Sequence, residues 1–372
     1  MNRYVFYHYF IVCFTNLMLL VPYHLISDRF DGAVMAILIS PIVGGILFYM
    51  LTNAINKFPG KGLPEIISMY YPTWFVRIFL VYKAMLTGFA SALVVSSYTV
   101  IVTRFLNPDA NPYIILMVLM LVCAYGATRS TASVNFLLEI VLIINIPGVA
   151  FVIYKTFTNP LLNWDAIHIV ADHVAQAPSL VSFASASFVF TGFLNLLIFN
   201  RLLPANFKFK FRWLITLSAF FILLITFFLP IGIHGTETVS QYLYLWSATA
   251  DSTRMNFGFI ERMLFVFIIV LMNNAVAFTI VGWHISIEYM RGALPNNVID
   301  PDEPEPHVYS YYVVVGIVLI TLILKFLIDE MKVLQLGGYF LILRLFSEAV
   351  TTIWLFLLSR KKVRKYAKND AA

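Results

Sequence analysis

The chain contains few charged residues and almost no cysteine. Charged side chains make up 12% of its 372 residues, about half the share found in soluble domains. The two cysteines, Cys13 and Cys123, both fall inside apolar runs, so we do not expect a disulfide framework. The sequence also lacks a G-x-S-x-G elbow, a phosphate-binding loop and a Cys-x-x-Cys pair. Without these catalytic and metal-binding signatures we predict neither an enzyme nor a bound metal or cofactor.

Long apolar runs dominate the sequence instead. Hydrophobic residues make up 60% of the chain and the mean hydropathy is +0.85. Runs of about 20 residues recur along the whole length, and each could cross a hydrocarbon core of about 30 Å. We therefore predict an all-α polytopic membrane protein with a single transmembrane domain over residues 1–372. The ten predicted spans are residues 4–26, 32–54, 74–105, 112–128, 133–157, 181–203, 211–234, 259–290, 309–329 and 335–359.

Lysine and arginine predict the orientation of these spans. If the N-terminus is cytoplasmic, about 16 basic residues fall on cytoplasmic segments and about 6 on outer segments, as the positive-inside rule requires. Both termini are then cytoplasmic, and residues 360–372 form a basic cytoplasmic tail beside anionic lipid. This clustering explains the net charge of +6, so the charge does not indicate a nucleic-acid partner.

Two connections between spans have distinct patterns. The outer connection, residues 158–180, has apolar residues at helical spacing, which predicts an amphipathic helix on the bilayer surface. A metal site on its opposite face is an alternative, but no cysteine or second cluster completes a ligand set. Residues 293–307 are acidic and rich in proline, which predicts an extended loop. The alternative metal ligands in the first connection are Asp165, His168, Asp172 and His173.

Polar residues interrupt the middle of the first and sixth predicted spans. Thr15 and Asn16 interrupt span one, and Thr191, Gly192 and Asn195 interrupt span six. Lipid satisfies no polar group, so we expect these positions to face a cavity. Interruptions in spans one and six of ten are typical of inverted-repeat transporters, with one repeat at about 4–157 and the other at about 181–359. Helix packing through small and polar residues is the alternative interpretation.

Ionisable residues inside other spans are further candidates. Lys83 could bind a ligand carboxylate, pair with Glu139 or Glu348, or extend to the membrane surface. Arg344 and Glu348 are spaced to pair within one helix. We also predict that Gly192→Leu would fill a gap at the break and abolish ligand response without loss of expression. The full predicted ligand-binding set is Thr15, Asn16, Leu17, Lys83, Thr87, Ser91, Thr191, Gly192, Phe193, Asn195 and Asn273.

Four short motifs occur in an order that resembles a known family. They are "LVPY" at 20–23, "FPGKGLPEI" at 58–66, "FTGFLNLLIF" at 190–199 and "NFGFIERM" at 256–263. The chain resembles the B-subunit family of spore-germination receptors (GerAB-like), within the amino acid–polyamine–organocation transporter superfamily. The resemblance covers nearly the whole chain. It implies a LeuT-like five-plus-five inverted repeat with interrupted helices 1 and 6, in the spore inner membrane or cell membrane.

The same resemblance implies a function and partners. A B subunit binds a small germinant, often an amino acid, and acts with an A subunit and a lipoprotein C subunit. The chain departs from the family pattern where Thr15-Asn16-Leu17 replaces a glycine-rich break and where Leu194-Asn195 replaces a frequent glutamate. The alternatives are an autonomous ion-coupled amino-acid transporter and a scaffold that binds no ligand.

Overall fold

The computed structural model describes residues 2–16, 20–254, 262–294 and 307–369, with side chains described as far as residue 361. About four-fifths of these residues are helical. The first helices are α1 (Asn2–Thr15), α2 (Leu20–Ser27), α3 (Ala33–Ile55), α4 (Leu63–Ser68), α5 (Thr73–Phe105), α6 (Pro112–Ala127), α7 (Thr131–Phe157) and α8 (Trp164–Ala171). The remaining helices are α9 (Leu180–Phe188), α10 (Leu196–Phe199), α11 (Arg212–His234), α12 (Leu245–Ser252), α13 (Met263–Gly292), α14 (Val308–Leu327) and α15 (Glu330–Asn369). Short 3-10 segments occupy Asp172–Ala175, Gly192–Asn195, Asn200–Leu202 and Thr238–Gln241.

Most of the predicted spans are present as long apolar helices. In the described part of the chain, seven helices are long and apolar enough to cross a membrane, and the number is nine if each of two bent pairs forms one span. Helix α6 covers the predicted span at 112–128, but its 16 residues make it shorter than the others. The prediction of a polytopic all-helical membrane protein is confirmed, while the count of ten stays a prediction.

Both predicted interruptions coincide with sharp bends. Helices α1 and α2 meet at 56°, and α9 meets the segment Gly192–Leu202 at 58°. In the second bend α9 ends at Phe188, and the chain resumes as a 3-10 turn at Gly192. A short 3-10 turn within a helix often marks a hinge or local strain. The polar residues at 15–16 and 191–195 therefore lie at real breaks in helical structure.

Helix α13 lies at the centre of the bundle. Of its most apolar 18-residue window, 67% is buried, compared with 44% or less in each of the other six long helices. It packs against α5, α6, α7 and α1. A Cβ on Gly282 would overlap Ser91 Oγ, so glycine at this position lets α13 approach α5 closely.

Buried ion pairs fix the far end of the second bent segment. Arg201 forms ion pairs with Glu288 of α13 and with Glu65 of α4, the latter at 2.7 Å. Glu288 also pairs with Arg291 at 3.0 Å. The side chains of Arg201, Glu288 and Arg291 are each less than a tenth exposed. Residues 200–202 are therefore tied to α4 and α13 at the end of the bundle that we predict to be cytoplasmic.

The outer connection contains the predicted helix. Helix α8 covers Trp164–Ala171 and buries Ala166 and Val170, packing against α11. Three sequence predictions lie outside the described residues. They concern Leu17, most of the loop at 293–307, and residues 256–261 of the "NFGFIERM" motif.

Candidate functional site

A polar cavity lies between α5, the segment Gly192–Leu202, α13 and α15. We call it the inner cavity. Its volume is about 60 Å³, which is room for several water molecules. Apolar side chains form most of its wall, and charged, hydroxyl and amide side chains form the rest. Its lining consists of Val12, Lys83, Leu86, Thr87, Ala90, Ser91, Leu194, Asn195, Leu197, Phe278, Val281, Gly282, Ile285, Tyr289, Arg344 and Glu348.

Lys83 extends from α5 towards α15 rather than towards the membrane surface. Its Nζ donates to Ser347 Oγ at 3.3 Å and to Thr351 Oγ1 at 3.2 Å. Of its two predicted acidic partners, Glu348 lies in the same cavity, whereas Glu139 pairs with Arg3 at 3.1 Å. Lys83 is only 3% exposed, and burying an amine in a membrane protein is costly. A buried lysine of this kind is a candidate functional residue.

Arg344 connects the inner cavity to the break before Gly192. Its Nε donates to Glu348 Oε1 at 2.5 Å, so the predicted pair within α15 is confirmed. Its Nη2 donates to Thr191 Oγ1 at 2.6 Å, and its guanidinium lies 4.3 Å from the centre of the Phe188 ring. Phe188 ends α9 and Thr191 immediately precedes the 3-10 turn. One side chain from α15 therefore contacts both sides of the bend.

The charges in the inner cavity do not balance. Lys83 and Arg344 are two basic groups, and Glu348 is the single acidic side chain in the lining. Arg344 Nη1 is also buried and has no hydrogen-bond partner among the described residues. A buried donor without a partner costs about 1–3 kcal/mol. The lining therefore has one more basic than acidic side chain and one buried donor without a partner in the described part of the chain.

Four of the predicted site residues line this cavity together. They are Lys83, Thr87, Ser91 and Asn195. Thr87 Oγ1 lies 2.8 Å from Ser286 Oγ of α13, while Asn195 Nδ2 donates to the His8 carbonyl of α1 at 3.4 Å.

The polar residues of the first break have other surroundings. Thr15 lines a neighbouring cavity of about 50 Å³, the middle cavity, together with Leu20 and Phe188. Asn274 Nδ2 donates to Thr15 Oγ1 at 2.9 Å. Asn16 is buried and donates to Thr226 Oγ1 of α11 at 2.9 Å. Neither Thr15 nor Asn16 belongs to the lining of the inner cavity.

Two other predicted residues serve helix packing in this structure. Asn273 Nδ2 donates to Asn145 Oδ1 of α7 at 3.2 Å, which places its amide between helices rather than in the inner cavity. Phe193 stacks on Phe48 of α3 with ring centres 5.8 Å apart. Thr191 contacts the site only through Arg344.

The prediction of a gap at Gly192 is wrong. A Cβ on Gly192 would lie 2.5 Å from Tyr9 Cα and 2.7 Å from the His8 carbonyl oxygen. The backbone of α1 therefore packs directly on this glycine. A leucine would collide with main-chain atoms, which cannot move aside by changing rotamer as a side chain can. Glycine at position 192 therefore permits close packing of the two broken spans.

Arg344, Glu348, Tyr289 and Phe278 were not in the predicted ligand-binding set. Arg344 and Glu348 are charged residues inside an apolar span, which was a sufficient signal of a functional position. Their helical spacing explained them equally well as a simple pair. For Tyr289 and Phe278 the sequence contains no signal, because both are ordinary apolar-face residues of α13.

The fold and the cavity define a class of protein. A bundle of long apolar helices with two bent spans is an integral membrane protein. Residues 5–299 match the family model described as "spore germination protein", and the chain belongs to this family. The matched region ends before α14, so α15, which supplies Arg344 and Glu348, lies beyond it. No curated protein matches the chain significantly.

Proposed function

We propose that the chain is the membrane-embedded B subunit of a nutrient germinant receptor and that it binds a small germinant in the inner cavity. A germinant with a carboxylate, such as an amino acid, fits best. The observation that carries the proposal is a lining with one more basic than acidic side chain, to which both Lys83 and Arg344 belong, together with an Arg344 Nη1 that has no partner in the described part of the chain. A ligand carboxylate would satisfy this donor and balance the charge.

The contacts of Arg344 suggest how binding is signalled. Its guanidinium holds Thr191 and Phe188 at the bend and Glu348 within α15. A carboxylate at Nη1 would compete with Glu348 for the same guanidinium and alter its hold on Thr191. Because a ligand shifts an equilibrium only through contacts that differ between conformers, this shared guanidinium is the element that would bias the bend. Partner A and lipoprotein C subunits would then respond to the altered shape.

The wider architecture is part of the same proposal. The two bends of 56° and 58° in the first and sixth predicted spans support a LeuT-like five-plus-five inverted repeat. The distribution of basic residues supports cytoplasmic termini. The family supports a location in the spore inner membrane.

A binding experiment tests the ligand site. Purified protein is titrated with the standard α-amino acids and, for each that binds, with its carboxamide. We expect the carboxamide to bind weakly, because it is neutral and cannot accept a hydrogen bond as an anion. Lys83→Gln should raise Kd roughly 10- to 150-fold, since a hydrogen bond to a charged group contributes about 1.5–3 kcal/mol. The matched control is Arg77→Gln, which removes a positive charge from an exposed position of the same helix.

The outcomes separate the proposal from its alternatives. The proposal of a carboxylate site is wrong if acid and carboxamide bind equally well. It is also wrong if Lys83→Gln and Arg77→Gln have equal effects on Kd. Gradient-driven uptake by the chain alone in liposomes would identify it instead as an autonomous ion-coupled transporter. Loss of response to one nutrient in spores that lack the gene is the expected physiological result.

A further inference from the structure

A third cavity lies at the other end of α5. This outer cavity, between α5, α14 and α15, has a volume of about 60 Å³. Its lining includes Ser96 and Val100 near the end of α5, Lys325 near the end of α14, and Glu330 at the start of α15. It therefore lies at the end of the bundle where α14 passes into α15. With cytoplasmic termini and ten spans, that end faces outwards.

Neighbouring cavities share walls. Leu93 and Ser97 line both the outer and the middle cavity. Ala90 and Phe278 line both the middle and the inner cavity. The three spaces are thus arranged in series, and a few side chains separate each from the next.

Helix α5 contributes to the walls of all three cavities. Its residues Lys83, Thr87, Ala90, Ser97 and Val100 each line at least one of the three cavities. At about 100° per residue, the lining turns by about 100° around α5 between Lys83 and Val100. At 1.5 Å per residue, the distance from Lys83 to Val100 is about 25 Å. This length is most of a hydrocarbon core of about 30 Å, so the three cavities together extend along most of the thickness of a membrane.

We propose that this series is the path by which a small polar ligand reaches the inner cavity, entering between α5, α14 and α15, with Leu93 and Phe278 as its two constrictions. The inference rests on the proposed function only in taking the inner cavity as the ligand site. Apolar side chains at the constrictions close the path by packing and open it by a change of rotamer.

The mouth of the path offers partners of both charges. Lys325 lines the outer cavity on one side and Glu330 on the other. Glu330 Oε2 accepts from Arg104 at 3.0 Å, and the side chain of Tyr244 in the same lining also interacts with this carboxylate. A zwitterion has a carboxylate that can bind Lys325 and an amine that can bind Glu330. The mouth therefore fits the same chemical class of ligand as the inner cavity, with an amine and a carboxylate.

Cysteine labelling tests the path without any germinant. The native Cys13 and Cys123 are both buried, so the background is low. Thr87→Cys places a thiol in the inner cavity and Ser96→Cys places one in the outer cavity. Membrane vesicles of each orientation are treated with sulfonatoethyl methanethiosulfonate, an impermeant anionic reagent. We expect both thiols to react from the side of the α14–α15 connection, with Ser96→Cys reacting faster.

A plug at the first constriction makes the test specific. Leu93→Trp should slow labelling of Thr87→Cys by about tenfold or more, which corresponds to about 1.4 kcal/mol of added barrier, and should slow labelling of Ser96→Cys, which lies in the outer cavity, much less. Met85→Trp is the control, because it adds the same side chain to an exposed position of α5. The path is wrong if Leu93→Trp leaves the Thr87→Cys rate unchanged, if Thr87→Cys reacts only from the opposite side, or if it never reacts. None of these outcomes depends on germinant binding, so the proposed function is tested separately.

Discussion

Replacement of Arg201 by methionine is expected to destabilise the protein more than any loss of a surface charge. Arg201 is the shared partner of Glu65 and Glu288, and its side chain is 2% exposed. Methionine keeps much of the volume of the arginine stem but removes all five donors. The variant would leave the Glu288 carboxylate buried with one partner fewer.

The structure sets the size of the effect. Removing one partner of a buried ion pair costs about 3–5 kcal/mol. Glu288 keeps Arg291 at 3.0 Å. Glu65 is about a third exposed and keeps the Gly62 N–H, which donates to it at 2.6 Å. Because both acids retain a partner, we expect a loss near the lower end, about 3 kcal/mol.

Reversible unfolding in mixed micelles of mild detergent and sodium dodecyl sulfate measures this free energy. The control is Lys332→Met, which breaks an exposed pair with Asp329 and should cost about 0–1 kcal/mol. A loss for Arg201→Met no larger than for Lys332→Met would refute the reasoning.

Two further predictions concern the bends. Gly192→Ala should lower stability by about 1–3 kcal/mol through overpacking against the Tyr9 backbone, whereas Gly316→Ala, with open space around its Cβ, should be neutral or raise stability by about 0.5–1 kcal/mol. Equal effects of the two alanines in the same unfolding assay would contradict this packing. Thr191→Val removes the acceptor of Arg344 Nη2 and should weaken the germination response more than ligand binding. A response and a Kd that change in parallel would show that Thr191 does not couple the cavity to the bend.

The positions of the helices and of the two bends could be predicted from the sequence, because they follow from local properties. An apolar run of sufficient length must be helical in lipid, since lipid offers no hydrogen-bond partner to backbone N–H and C=O groups. Polar residues in the middle of such a run mark the place where it cannot face lipid. Thr15, Asn16, Thr191 and Gly192 therefore marked both breaks before any contact was known.

The partners of these polar residues could not be predicted in this way. Thr191 meets Arg344, 153 residues further along the chain, and Asn274 rather than Asn273 meets Thr15. Which face of a helix meets which neighbour depends on the rotation and crossing of helices far apart in sequence. One position along α13 turns a side chain by about 100°, so adjacent asparagines point to different helices.

The sequence by itself determined that this chain is a helical membrane protein of the spore-germination family with two interrupted spans, since hydropathy and short motifs need no partner to be recognised. Only the tertiary structure decided that Lys83, Arg344 and Glu348 share one cavity and that Thr15 and Asn16 lie outside it. The physical reason is that the interactions of a buried charge depend on the groups that surround it. Its surroundings come from other helices, which are placed by packing.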